Sequence, residues 1–230
     1  MGPSDVAYLE VPYSELELAQ EARLNYLRIQ NEGAASSHIG MVEARVAAGA
    51  ALHTFVYTDG GRLSRFDLQI DLLGEKAEAR LDGLYLATGS QHVDHHTVVR
   101  HLAPEAKSSQ VYKGVIGGAA RAVFNGKIEV HSEAFQSEAR QLNKNLLLTP
   151  EAEIDTKPEL QIDTDDVKCS HGATVGRLNA DELFYLKSRG IAAGEAEKML
   201  IAAYGRDVIS RMEDVKFRDL VLALAEAKSL

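Results

Sequence analysis

Two short runs gather the residue types that bind metal ions. The first is His92-Val93-Asp94-His95-His96. Side chains alternate along a strand, so in an extended chain His92, Asp94 and His96 share one face, and two imidazoles two residues apart can reach one ion. A third ligand would come from a neighbouring segment, for example His101 or His131. The same run also reads as a polar ladder on the outside of a sheet, with solvated or hydrogen-bonded rings. The second run is Cys169-Ser170-His171-Gly172. If it is extended, Cys169 and His171 point the same way, about 7 Å apart. Thiolate and imidazole are both suitable ligands for iron in a cluster. Two ligands cannot hold a cluster alone, so a second chain would have to contribute. The alternative is a buried cysteine acting as a small hydrophobe and a histidine capping a turn.

Other chemistries find little support. The sequence has no Gly-x-Gly-x-x-Gly after a strand and no Gly-Lys-Ser/Thr phosphate loop, so ATP binding by those devices is not expected. It has no Gly-x-Ser-x-Gly nucleophile elbow. Glu151, Glu153 and Asp155 alternate as a solvated strand edge would. The formal net charge of −9 argues against nucleic acid and against anionic membranes, both of which need basic surface. Cys169 is the only cysteine, which precludes an internal disulfide and fits a reducing compartment. Residues 1–10 lack a basic region followed by an apolar run. No apolar stretch reaches the roughly 20 residues that span a bilayer. These features lead us to expect a cytoplasmic protein that is not an enzyme and holds no cofactor tightly by itself.

The elements that carry these runs change character near residue 178. Before it, apolar residues alternate: Val42, Ala44 and Val46, then Phe66, Leu68, Ile70 and Leu72 with Asp67, Gln69 and Asp71 between them. A period of two means strands with one buried face. A turn-like element with alanine recurs before these strands, at Ala22, Ala50, Ala77 and Ala106, with spacings of 28, 27 and 29 residues; the next step, to Ala119, is 13. A repeat of this size signals a solenoid in which each coil buries its face against the next. Residues 1–177 read as a parallel β-helix, although alternation alone also permits an antiparallel sandwich. Asn125-Gly126 is the single tight-hairpin signal. Residues 178–230 read as a small helical region. Asn179 caps a first helix with Glu182 as reciprocal partner, and Gly190 stops it. A second helix covers residues 195–204 and ends at Gly205. A third segment covers residues 206–227, with a break near Glu213-Asp214.

DDVKCSHGATVG at residues 165–176 resembles the SufD family of iron–sulfur cluster assembly proteins. GLYLATGSQHVDHHT (83–97), SSQVYKGVIGGAARAVFNGKI (108–128), QLNKNLLLTPEAEIDTKPELQI (141–162) and ELFYLKSRGI (182–191) are similar to it as well. SufB proteins usually carry glutamate where Gly172 stands, which favours SufD. The resemblance implies a right-handed parallel β-helix followed by C-terminal helices. It also implies a heterodimer with SufB, joined at the C-terminal ends of the two β-helices, and docking of the SufC ATPase on the helices. A transient iron–sulfur cluster would form at the seam, with His171 matching the family's interface histidine and Cys169 beside it. Leu183, Phe184, Tyr185 and Arg189 match the SufC-contact region. A homodimer through the exposed strand edge is compatible with the chain alone. Family members are usually much longer, with a helical N-terminal region and further early coils. The rival reading is a stand-alone metal-dependent hydrolase or lyase built on His92, Asp94 and His96.

Overall fold

The computed structural model describes residues 6–228; half of the stretch read for a leader, residues 1–5, lies outside the described residues. Six odd-numbered strands form one sheet: β3 (Arg23–Gln30), β5 (Ala51–Asp59), β7 (Glu78–Ala87), β9 (Lys107–Ile116), β11 (Glu138–Leu147) and β13 (Lys168–Gly176), adjacent in that order. The other sheet holds β4 (Ser37–Val46), β6 (Leu63–Leu72), β8 (His92–His101), β10 (Arg121–Val130) and β12 (Glu153–Ile162), with β1 (Leu9–Glu10) and β2 (Tyr13–Leu18) both on β4. Every pairing is parallel. The chain therefore visits the two sheets in turn and advances one coil per pair of strands. This is a parallel β-helix, and the sandwich is excluded. Asn125-Gly126 lies inside β10 rather than in a hairpin.

The alanine repeat marks one corner of the coil. Glu21, Gly49, Lys76, Glu105 and Gln136 take left-handed backbone with φ of 60°, 66°, 58°, 56° and 58°. Their N–H groups donate to the next coil, Glu21 to Ala48 O at 3.0 Å, Lys76 to Pro104 O at 3.1 Å and Glu105 to Phe135 O at 2.9 Å. A non-glycine residue in this conformation costs about 1–2 kcal/mol, which the corner ladder offsets. The residue that follows turns inward and must be small: Ala50, Ala77 and Ala106 are fully buried. Ser137 fills this place at the fifth corner and so escapes an alanine search. Ala119 belongs to the opposite corner, after Gly118 with φ 65°, which explains the half-length step.

The interior is apolar toward the corners and polar along one stripe. Val42, Phe66, Leu68, Ile70, Leu81 and Phe124 build the apolar part. In the middle coils Tyr85 donates to Asn145, Asn143 donates to Tyr85 Oη at 3.1 Å, and Thr156 donates to Asn143 Oδ1 at 2.9 Å. Buried polar groups of this kind are tolerable only when bonded. The tyrosine rings need glycine opposite them: a Cβ on Gly83 would lie 2.4 Å from Tyr112, and one on Gly114 would lie 2.2 Å from Tyr85.

Three helices follow: α1 (Ala180–Ser188), α2 (Ala193–Ile209) and α3 (Val215–Ala227). Asn179 caps α1 by accepting from Asp181 N, and Gly190 ends it with φ 86°. The second helix does not stop at Gly205. It continues to Ile209, and Gly205 lies buried within it, facing Leu84 of the sheet. The break near Asp214 is real, and Asp214 caps α3 by accepting from Phe217 N. Ile201, Val208, Ile209, Met212, Val221 and Ala225 bury themselves against Phe55, Tyr57, Leu84, Leu86, Val115 and Leu146 on the outer face of the odd-numbered sheet. Asp82, only 3% exposed, clamps this contact between Arg80 Nε at 2.9 Å and Arg211 Nε at 2.7 Å.

Candidate functional site

The last coil leaves both sheets unfinished. β12 and β13 are terminal strands, and no strand among the described residues pairs with their outer edges. Pro158 sits within β12, as suits an edge strand, where a missing N–H is tolerated. Ile162 and Val175, 40% and 49% exposed, lie on this open end.

Registers place the two sequence-marked residues there. Cys169 lies beside Ala139, and His171 beside Gln141. Both partners are buried inside the coil, so Cys169 and His171 share the inward phase of a strand that nothing covers. His171 is exposed. Cys169 is half-buried against Ile128, Val130, Ala134 and Ala139, and burial pushes its thiol above the usual range. Burial of this kind makes a thiol less reactive. The imidazole is therefore the freely presented ligand of the pair.

Beyond the open end, α1 buries none of its residues. Phe184 and Tyr185 are 73% and 57% exposed, Leu183 is partly covered, and Arg189 lies over the Tyr185 ring at 5.3 Å. A helix with its aromatics in solvent is an exposed apolar surface.

His92, Asp94 and His96 do share one face, on the outside of β8, but Asp94 and His96 are otherwise engaged. Asp94 accepts from Arg65 at 2.7 Å and lies 2.8 Å from His96 Nε2, and Arg65 also grips Asp67. His101, named as a third ligand, points into the coil, where it bonds Ser108 Oγ at 2.8 Å. It cannot join a site on the outer face. His131 is exposed in the turn after β10. Among the described residues, the His, Cys, Asp and Glu side chains that converge are Glu10, Glu32 and His38, whose ligand atoms all lie within 4.8 Å of one another. His38 Nδ1 is 2.7 Å from Glu32 Oε1. Burial pushes Glu32 up, but the His38 hydrogen bond and charge outweigh it and hold the carboxyl at about 2. Three separate segments supply this cluster, so no sequence spacing announces it.

Sequence reasoning also missed the buried polar residues. His95, rather than its neighbours, is the enclosed histidine. It bonds Thr58 Oγ1 at 3.0 Å among Phe66, Tyr85 and Tyr112, and burial lowers its pKa to about 3. The available signal was its phase, since it alternates with Val93, Thr97 and Val99.

These features define a class: a parallel β-helix scaffold that offers an open end and an uncovered helix. The SUF system FeS cluster assembly SufBD core domain matches residues 4–204, and the chain belongs to this SufBD family. Over 208 residues it is 34% identical to the iron–sulfur cluster assembly protein SufD of Escherichia coli strain K12, covering 90% of this chain and 49% of that protein. A SufBD family protein of Synechocystis is 35% identical over 91% of this chain and 46% of its own length. A chloroplastic protein of Arabidopsis thaliana is 34% identical over 92% of this chain and 45% of its own. The chain thus spans about half the length of these curated relatives. No helix of the described residues is long and apolar enough to cross a membrane.

Proposed function

We propose that this chain is a SufD-type subunit of a SUF iron–sulfur assembly complex, acting in the cytoplasm. Its open end pairs with a SufB-like chain, and a nascent cluster forms at the seam with His171 as one ligand. The observation that carries the reading is the exposed imidazole on the terminal strand of the coil, whose outer edge has no partner among the described residues. An unpaired strand edge is a template for another strand. Here it is flanked by exposed apolar residues that a partner would cover.

The helices past Gly176 would take the SufC-like ATPase, with Leu183, Phe184, Tyr185 and Arg189 in contact. ATP hydrolysis then belongs to that partner. Its motion strains the pair of β-helices, opens the seam, and lets iron and sulfide, the cargo, meet the exposed imidazole and a partner thiolate. Cys169 lines the approach as a small apolar wall. His92, Asp94 and His96 carry no second reading, because Asp94 is already neutralised by Arg65.

The test is co-purification with SufB and SufC, anaerobic reconstitution and optical spectra, for the parent and for His171→Ala. Loss of the cluster band from an intact His171→Ala complex supports the assignment. A full cluster complement in that complex refutes the ligand role. Failure of the parent chain to co-purify refutes the partnership.

A further inference from the structure

A one-way relay of amides runs through the polar stripe and ends beneath His171. Gln110 Nε2 donates to Thr97 Oγ1 at 2.7 Å, and Gln141 Nε2 donates to Gln110 Oε1 at 2.7 Å. Each glutamine directs an N–H toward the preceding member of the relay. Gln141 Oε1 is therefore left over. Gln141 is 3% exposed, and this oxygen is shielded from solvent without a hydrogen-bond partner in the chain. A buried, unbonded amide oxygen is a substantial penalty that folds normally avoid.

The coil is shaped to keep the amide there. Gly126 faces it from the opposite sheet, and a Cβ on Gly126 would lie 2.1 Å from Gln141 Nε2. Any larger residue in that place would expel the side chain. This also accounts for Asn125-Gly126 in mid-strand. The next rung in register after Gln141 is His171.

We propose that Gln141 is the positioning residue of His171. Its carbonyl oxygen, which no group in this structure satisfies, is the acceptor for the Nδ1–H of the imidazole on the next rung, a bond made by rotation of the exposed His171 side chain that leaves the Nε2 lone pair facing the open end. A neutral imidazole has one N–H, so the bond made by one nitrogen decides which nitrogen can bind a metal. Metal-binding histidines are commonly fixed through their other nitrogen in this way. The polarity of the relay matters. A reversed Gln141 amide would point its N–H at the ring, draw the proton to Nε2 and close the ligand position. With Gln110 oriented as it is, donating to Thr97, it would also set its own oxygen against Gln110 Oε1. The proposal rests on the reading of His171 as a seam ligand, but the tautomer is a property of this chain alone.

The experiment is long-range nitrogen NMR on the full chain with labelled histidine, the His171 signal being the one absent from His171→Ala. The parent and Gln141→Glu, which keeps an acceptor, are expected to hold the Nδ1–H tautomer. Gln141→Leu is expected to shift the ratio about 2- to 12-fold toward Nε2–H, the equivalent of one hydrogen bond. Predominant Nε2–H in the parent overturns the proposal, and so does an unchanged ratio in folded Gln141→Leu. The parent spectrum decides even if Gln141→Leu does not fold. A tautomer shift in Gln141→Leu with a normal cluster in the reconstituted His171→Ala complex would sustain the positioning and sink the ligand reading. The converse pair of results would do the opposite.

Discussion

Lowering the pH from 7 to 5 is expected to weaken this fold by about 4 kcal/mol, and most of the loss traces to two interior rings. His95 and His101 are both fully buried. His95 sits among Phe66, Tyr85 and Tyr112, and burial, then the Arg28 and His96 charges, lower its pKa from 6.5 to about 3. His101 falls to about 4, again through burial, with a backbone hydrogen bond to Ala106 working the other way. A ring whose folded pKa is depressed is favoured by folding while neutral. Its contribution is complete above the unfolded value of 6.5 and is lost as pH falls toward the folded value. Each ring then gives about 2 kcal/mol less at pH 5 than at pH 7. Glu32, held at about 2, contributes above 4.5 and starts to lose that only below it, so stopping at pH 5 largely keeps it out. Burial raises the Asp82 carboxyl, which acts in the opposite sense. The assay is urea unfolding at both pH values for the parent and for His95→Gln, which cannot ionise. The variant is expected to keep about half of the pH-dependent difference, whatever its absolute stability. An identical difference in parent and variant would refute the reasoning.

Arg211→Ala leaves the buried Asp82 with Arg80 alone; since Arg211 is partly exposed, the loss is expected to be about 1–3 kcal/mol. It should fall on the attachment of the helices, so amide exchange should quicken in α2 and α3 more than in β9. Gly83→Ala puts a methyl 2.4 Å from the Tyr112 ring and is expected to lower stability by about 1–3 kcal/mol through overpacking, read as a shift in urea midpoint.

The coil was legible because its signals are local and repeated. Phe66, Leu68, Ile70 and Leu72 alternate without interruption, and the small residue after each left-handed corner returns once per coil. The order of strands across the sheets follows from that period. What stayed hidden depends on contacts between coils. Gln110, Gln141, Asn143 and Asn145 read as surface residues in isolation, and only stacking turns them into an interior network. Gly205 read as a helix stop because a glycine at a terminus and a glycine buried within a helix look alike in one sequence. At the candidate site, the shared phase of Cys169 and His171 was legible, whereas their unequal exposure was not. That difference arises from the neighbours of Cys169 in the previous coil and the turn, and the sequence run does not contain them.

The helical region and the open end are joined by a single sheet. α2 packs on the outer face of β7, β9 and β11 through Leu84, Leu86, Val115 and Leu146. Lys113 on β9 reaches Asp207 at 2.6 Å and the Tyr204 carbonyl at 3.0 Å. The inner faces of β9 and β11 carry Gln110 and Gln141, and the next strand in that sheet carries His171. Close-packed interiors resist compression, so a load on α2 has no soft layer in which to dissipate before it reaches the strand that bears the imidazole. Among the described residues the even-numbered sheet shows no such connection: its outer face holds ion pairs such as Arg65 with Asp94 and Arg100 with Asp71 and Glu129. A partner gripping the helices would act on the histidine-bearing sheet before the other, and the asymmetry between the sheets would give the scaffold a direction.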